Sequence, residues 1–191
     1  HDMKRAFFVF YIHSFLFYHF CQFFTGVTSM LALHILDFKD FTGKLFIGDV
    51  FHRFYLTEAS FTTSVTFTID GTLHKEFYDS DNCPERPCCY WEEVKSQCFS
   101  FIKGKRTPLH FKIVFQLSRE NTEKLLMQSG LSLKREDVCG LYLNLQFDGA
   151  QLICTTGSSL RFFTMDKTLD HVWDDMVRKF FRKQNIVFEE N

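Results

Sequence analysis

Residues 169–183 read LDHVWDDMVRKFFRK, and the rest of the chain is organised around this run. Leu169, Val172, Trp173, Met176, Val177 and Phe180 recur at the three- and four-residue spacings that line one side of a helix. His171, Asp174, Asp175, Arg178, Lys179, Arg182 and Lys183 fall on the other side. Asp166 or Thr168 can cap the first turn, with acids gathered near the start and bases near the end, as the helix dipole prefers. The spacing predicts an amphipathic helix over 168–184 that lays its apolar side on a sheet.

Working outward, the preceding segments read as strands. Leu141 to Phe147 and Ala150 to Thr156 flank Asp148-Gly149, a hairpin signal because the tight turn needs positive φ, and Leu160 to Met165 reads as a further strand feeding the helix. Leu109 to Leu117 alternates cleanly, with Leu109, Phe111, Ile113, Phe115 and Leu117 on one side and His110, Lys112 and Gln116 on the other. Ser118 then caps a helix from Arg119 to Ser129 that closes on Gly130, and Trp91 to Ile102 is a helix ended near Gly104. Towards the start, Leu31, Leu33 and Ile35 alternate as a strand, and Asp37 caps a short helix running to about Gly48. Tyr55 to Ile69 alternates for too long to be one strand, so a break is expected near Ser60 to Thr63. Asp70-Gly71 reads as a hairpin turn, with Thr72 to Phe77 as the returning strand.

Written coarsely, 30–78 and 109–165 each read as a strand, a helix and about three strands, which suggests an internal duplication. The fold class is therefore α+β: antiparallel sheets from two repeats within a single domain over 30–191, covered by helices 91–102 and 168–184. The 191 residues suit one domain, and the formal charge of −1 offers no global attraction to nucleic acid or acidic lipid. The 26 Phe residues supply core volume on sheets. Seven Cys, with Cys21, Cys139 and Cys154 in apolar stretches expected to be buried, favour a reducing compartment. Cys83, Cys88, Cys89 and Cys98 cluster around Pro84 and Pro87, but without the paired C-x-x-C units of a zinc module they read as a Cys-rich surface loop.

Residues 1–29 differ from all that follows. Three readings are open for this aromatic extension: an expression-tag remnant and misassigned start, with Met30 as the natural beginning; a membrane-associated segment over 6–24; or an ordered aromatic helix packed on the domain. Two His and a Gln inside the run are costly in a lipid core, and any membrane contact is confined to 6–24.

Two resemblances follow from these segments. The repeated strand-helix-strands unit, and Leu145 to Met165 with its Phe147-Asp148-Gly149, Leu152, Thr155 and Leu160, are similar to sliding-clamp domains, although one such domain is too short for a clamp subunit. Asp40 to Asp49, Thr68 to Tyr78, Gly104 to Leu117 and Leu169 to Phe188 resemble an uncharacterised family of small proteins from anaerobic Firmicutes. That resemblance begins near Met30. It implies a bacterial cytoplasmic origin and supplies no catalytic residue.

The candidate sites are few. Lys103, Lys105 and Arg106, extended by Lys112, form a basic turn that can meet phosphates, as can the hydroxyl-rich Thr155, Thr156, Gly157, Ser158, Ser159 run through its backbone N–H groups. Neither has the spacing of a P-loop. Asp170 and His171 with Asp174 and Asp175 put a His and carboxylates at helical spacing, suited to a divalent metal or acid–base work if His52 or His110 completes the set. The plainer reading is a solvated helix face with Asp174–Arg178 and Asp175–Lys179 pairs. No nucleophile elbow, Rossmann glycine set or paired zinc motif is present, and no cofactor is expected. The sequence therefore leads to a binding or interaction protein that engages a protein partner or a second copy. A nucleic-acid-associated clamp-like domain and a metal-dependent hydrolase are the alternatives.

Overall fold

The computed structural model describes residues 31–79 and 82–190. Among them, alternating stretches become strands β1 (Ala32–Ile35), β2 (Phe54–Thr62), β3 (Thr66–Asp70), β4 (His110–Leu117), β5 (Val138–Phe147), β6 (Leu152–Leu160) and β7 (Phe188–Glu190). The helices are α1 (Phe38–Phe46), α2 (Trp91–Ile102), α3 (Arg119–Ser129) and α4 (Thr168–Lys183). The strands form one seven-stranded antiparallel sheet in the order β3-β2-β4-β5-β6-β1-β7. The fold is α+β, with a long amphipathic helix near its C-terminal end.

Side-chain alternation decides which face is covered. Phe111, Ile113, Phe115 and Leu117 of β4 stand beside Leu141, Leu143, Leu145 and Phe147 of β5, all buried on one face. Helical aromatics pack onto that face: Phe46 lies 6.2 Å from Phe111, Trp91 lies 5.2 Å from Phe115, and Phe41 meets Phe181 of α4 at 6.1 Å. Each buried indole N–H finds a carbonyl, Trp91 on Leu45 at 2.7 Å and Trp173 on Tyr142 at 2.9 Å, so the large rings carry no unpaired donor. Each such ring contributes roughly 1.5–3 kcal/mol of burial.

The helices follow their end signals. Asp37 accepts the Asp40 N–H at the start of α1, and Gly130 ends α3 in the left-handed conformation at φ 66°. Helix α4 stops at Asn185, φ 53°, a residue type that tolerates this region, and the chain turns back to add β7 beside β1. Sequence periodicity predicts no strand there, since three residues carry too little alternation.

Several expectations need correcting. The β2–β3 hairpin turns at residues 63–65, where Thr63 N–H donates to the Val65 carbonyl at 2.9 Å, and not at Asp70-Gly71. Gly71 answers a different need: a Cβ there would lie 1.8 Å from the Leu56 carbonyl oxygen, so the chain crosses β2 only because no side chain intervenes. After it, Thr72 makes a single bridge to Cys88 and Lys75–Phe77 is a 3-10 turn, not a strand. Residues 161–165 are not a strand either. Leu160 is already opposite Val138, the first residue of β5, so nothing of β5 remains to pair beyond it.

Each half expected to be a repeat has two strands after its helix, and the pairing differs: β4 lies beside β5, whereas β1 lies between β6 and β7, away from β2. In α4 the inward positions are Leu169, Trp173, Asp174, Val177 and Phe181, while Val172, Met176 and Phe180 are half-buried, so Asp174 is not on a solvated face. Cys139 is exposed where β5 bulges between Val138 and Gly140; Cys154 is buried as expected. Among the described residues no helix is long and apolar enough to cross a membrane, which goes against the expectation of a membrane-associated segment. Residues 6–24, on which that expectation rested, lie outside the described residues, as do the readings of 1–29 and of Cys21.

Candidate functional site

Two sets of residues singled out separately in the sequence meet along one seam. Thr156 and Ser158 are two apart on β6 and share the face that α4 covers, while Asp170 and Asp174 are four apart on α4. Two strand residues advance about 6.6 Å and four helical residues about 6 Å, so the pairs match as rungs. Thr156 Oγ1 donates to Asp174 Oδ1 at 2.5 Å, and Ser158 Oγ donates to Asp170 Oδ1. The Thr156 oxygen also accepts the Leu31 N–H at 3.1 Å, tying the start of β1 to the same rung. Burial pushes the Asp174 carboxyl up, against the opposing pull of the Thr156 hydroxyl and of Arg178. Lys167 Nζ lies 3.8 Å from Asp170. Gly157, between the two hydroxyls, sits opposite Tyr142 with open space where a Cβ would go.

His171 and Asp175 are exposed, on the other side of α4 from the seam. Asp175 pairs with Arg178 at 2.9 Å, and Arg178 also holds Glu190 of β7 at 3.0 Å. His52 is engaged elsewhere, 2.5 Å from Lys95 Nζ and 3.7 Å from Glu92, and His110 opens β4 opposite Thr62. Among the described residues no three His, Cys, Asp or Glu side chains gather so as to hold a metal ion.

The basic turn is as exposed as its sequence suggests. Lys103, Lys105 and Arg106 follow the end of α2 and take part in no ion pair among the described residues. Lys112 stands differently, 3.8 Å from Glu58 on the open face of the sheet, so a carboxylate balances its charge.

In the Cys-containing loop, Cys88 and Cys89 are buried, as is Cys98 on α2. Burial pushes the Cys89 thiol up to about 11 and the Cys98 thiol to about 12, leaving both protonated at neutral pH. The loop is pinned by Arg86, which donates to both Glu93 carboxylate oxygens at 2.7 and 2.6 Å and to the Cys88 carbonyl at 2.9 Å.

Two further features escaped the sequence reading. Between β6 and α4, Phe162, Phe163 and Met165 are 48 %, 77 % and 78 % exposed. The segment is held at both ends, by Arg161 N–H donating to the Asp137 carbonyl at 2.9 Å and by Asp166 accepting the Thr168 N–H at 2.9 Å. The signal in the sequence is the Phe162-Phe163 pair, which breaks the alternation of a strand. The second is a cleft of about 330 Å³ between α3, α4 and the start of β2.

No curated protein and no solved structure matches the chain. Residues 44–189, from within α1 to within β7, match a family of unknown function, DUF5721, in keeping with the resemblance to an uncharacterised family. The chain belongs to that family.

Proposed function

We propose that this protein acts by binding, as a protein-interaction module whose contact surface is the segment Phe162 to Met165. The observation that carries the reading is the exposure of three large apolar side chains within four residues, on a segment anchored at both ends. Aromatic residues presented on a fixed backbone lose little conformational freedom on binding and are the usual anchors of protein interfaces. The engagement of Asp170 and Asp174 by Ser158 and Thr156 agrees with binding in place of turnover, because these carboxylates already hold the fold together. Size-exclusion of the tagged full chain from an extract of its native host tests this. The tagged chain is expected to elute in a complex that Phe163→Asp dissociates. A chain that elutes alone, or a complex that Phe163→Asp leaves intact, contradicts the reading.

A second reading, nucleic-acid association, is favoured by the unpaired cations Lys103, Lys105 and Arg106. The strand-helix-strand-strand order of both halves is what a clamp-like version would use. Three phosphate contacts give a salt slope of about −2.7 on duplex DNA. Anisotropy without binding at low salt excludes it.

A further inference from the structure

We propose that the cleft between α3 and α4 is a site for a small monocarboxylate with an apolar, ring-bearing body. The floor is apolar: Phe54, Leu117, Leu125 and Phe180, with the Phe54 and Phe180 rings 5.6 Å apart. Helix α4 carries more apolar residues than the sheet uses, and the half-buried Met176 and Phe180 of this second stripe line the cleft.

The rim is polar in a particular way. Asn121, Lys124 and Gln128 recur at three- and four-residue spacing on α3, and Arg53 stands at the start of β2. In a chain of nearly balanced charge the lining holds two cations and no acid. Arg53 is already committed, 3.6 Å from Glu92 and 4.3 Å above the Tyr90 ring, and so is fixed in place but partly neutralised. The Lys124 ammonium and the Asn121 and Gln128 amides take part in no hydrogen bond or ion pair among the described residues. These three therefore offer one charge and several N–H donors to an oxyanion above an aromatic floor, which is the recognition a carboxylate with an apolar body requires. The volume lies at the low end of the roughly 300–1,000 Å³ range of small-ligand sites, which favours a compact ring over a long chain.

The test is titration of the full chain with 2-naphthoate, followed by ligand fluorescence and by calorimetry, with neutral 2-naphthamide as the comparison. Saturable binding of the carboxylate is expected, weakened about tenfold or more both for the amide and by Lys124→Met, which removes one charge-assisted contact and keeps the apolar stem. Lys124→Arg is expected to retain binding, and Lys103→Met, at the distant basic turn, to leave it unchanged. Thermal unfolding of each variant separates loss of the site from loss of the fold, since Lys124 is exposed and makes no hydrogen bond or ion pair among the described residues. Absence of saturation by naphthoate, equal affinity for naphthamide, or indifference of a folded Lys124→Met protein overturns the proposal.

Discussion

Asp174 is 4 % exposed on the sheet-facing side of α4 and accepts the Thr156 hydroxyl, so its charge has lost most of its water. Because burial raises its carboxyl above the ordinary value, the folded chain holds this proton to higher pH than the unfolded chain does. The resulting stability is complete below the ordinary carboxylate value and is lost as pH rises through the raised one. Asp174→Asn keeps an oxygen for Thr156 and is expected to flatten that part of the pH profile while changing stability at neutral pH by less than about 1 kcal/mol. Asp174→Ala strands the hydroxyl and is expected to cost about 1–3 kcal/mol. Urea unfolding between about pH 4 and 7 distinguishes them; Asn as damaging as Ala at neutral pH would mean that the hydrogen bond is not what Asp174 contributes. Gly71 is the other residue with a sharp expectation. A methyl group 1.8 Å from the Leu56 carbonyl cannot be accommodated without moving β2, so Gly71→Ala is expected to cost more than about 3 kcal/mol. Gly157→Ala, with open space at its Cβ, is expected to stay within about 1 kcal/mol. Equal effects in denaturant titrations would contradict that view of the crossing.

At the scale of elements, the start of α2 is held by charge. Burial alone would raise the Glu93 carboxyl, but the Arg86 guanidinium and the Tyr90 N–H, which donates at 2.6 Å, outweigh it and hold the group below its usual range. A lowered carboxyl contributes stability above its unfolded value and loses it as pH falls through the folded one. Glu93→Gln is expected to cost about 1 kcal/mol or less, because the Glu93 carboxylate is exposed to solvent, and to remove part of the acid-side loss seen by circular dichroism. An acid transition identical to that of the unsubstituted chain would refute this role. The same helix shows why helices were legible in the sequence: Trp91–Ile102 has apolar spacing and a stop at Gly104, and Arg119–Ser129 has Ser118 before it and Gly130 after it. Strand ends were less legible, because pairing beyond the segment decides them. Leu160 ends β6 where β5 runs out, and Phe188–Glu190 is too short for alternation to register. The seam was visible only in halves. Helical period places Asp170 and Asp174 together and strand period places Thr156 and Ser158 together, but neither states which side of α4 faces the sheet. Two apolar stripes, Leu169-Trp173-Val177 and Val172-Met176-Phe180, compete for that position.

Across the whole molecule, helices cover one face of the sheet, and the other presents Glu58, Lys112, Asn144 and Gln146, a surface suited to water. The edges discourage further pairing: β7 is three residues long and ends in Glu189 and Glu190, and β3 is five residues long with Asp70 at its end. Against this polar exterior the Phe162 to Met165 segment stands out, which is why binding is assigned to it and not to a sheet edge. The most direct test installs a photoreactive benzophenone side chain at position 163 in the native host, with position 127 as the control, since Phe163 and Met127 are 77 % and 80 % exposed. A protein crosslinked at position 163 and absent at 127 is the expected result; the same products at both positions, or none at 163, would contradict binding through this segment.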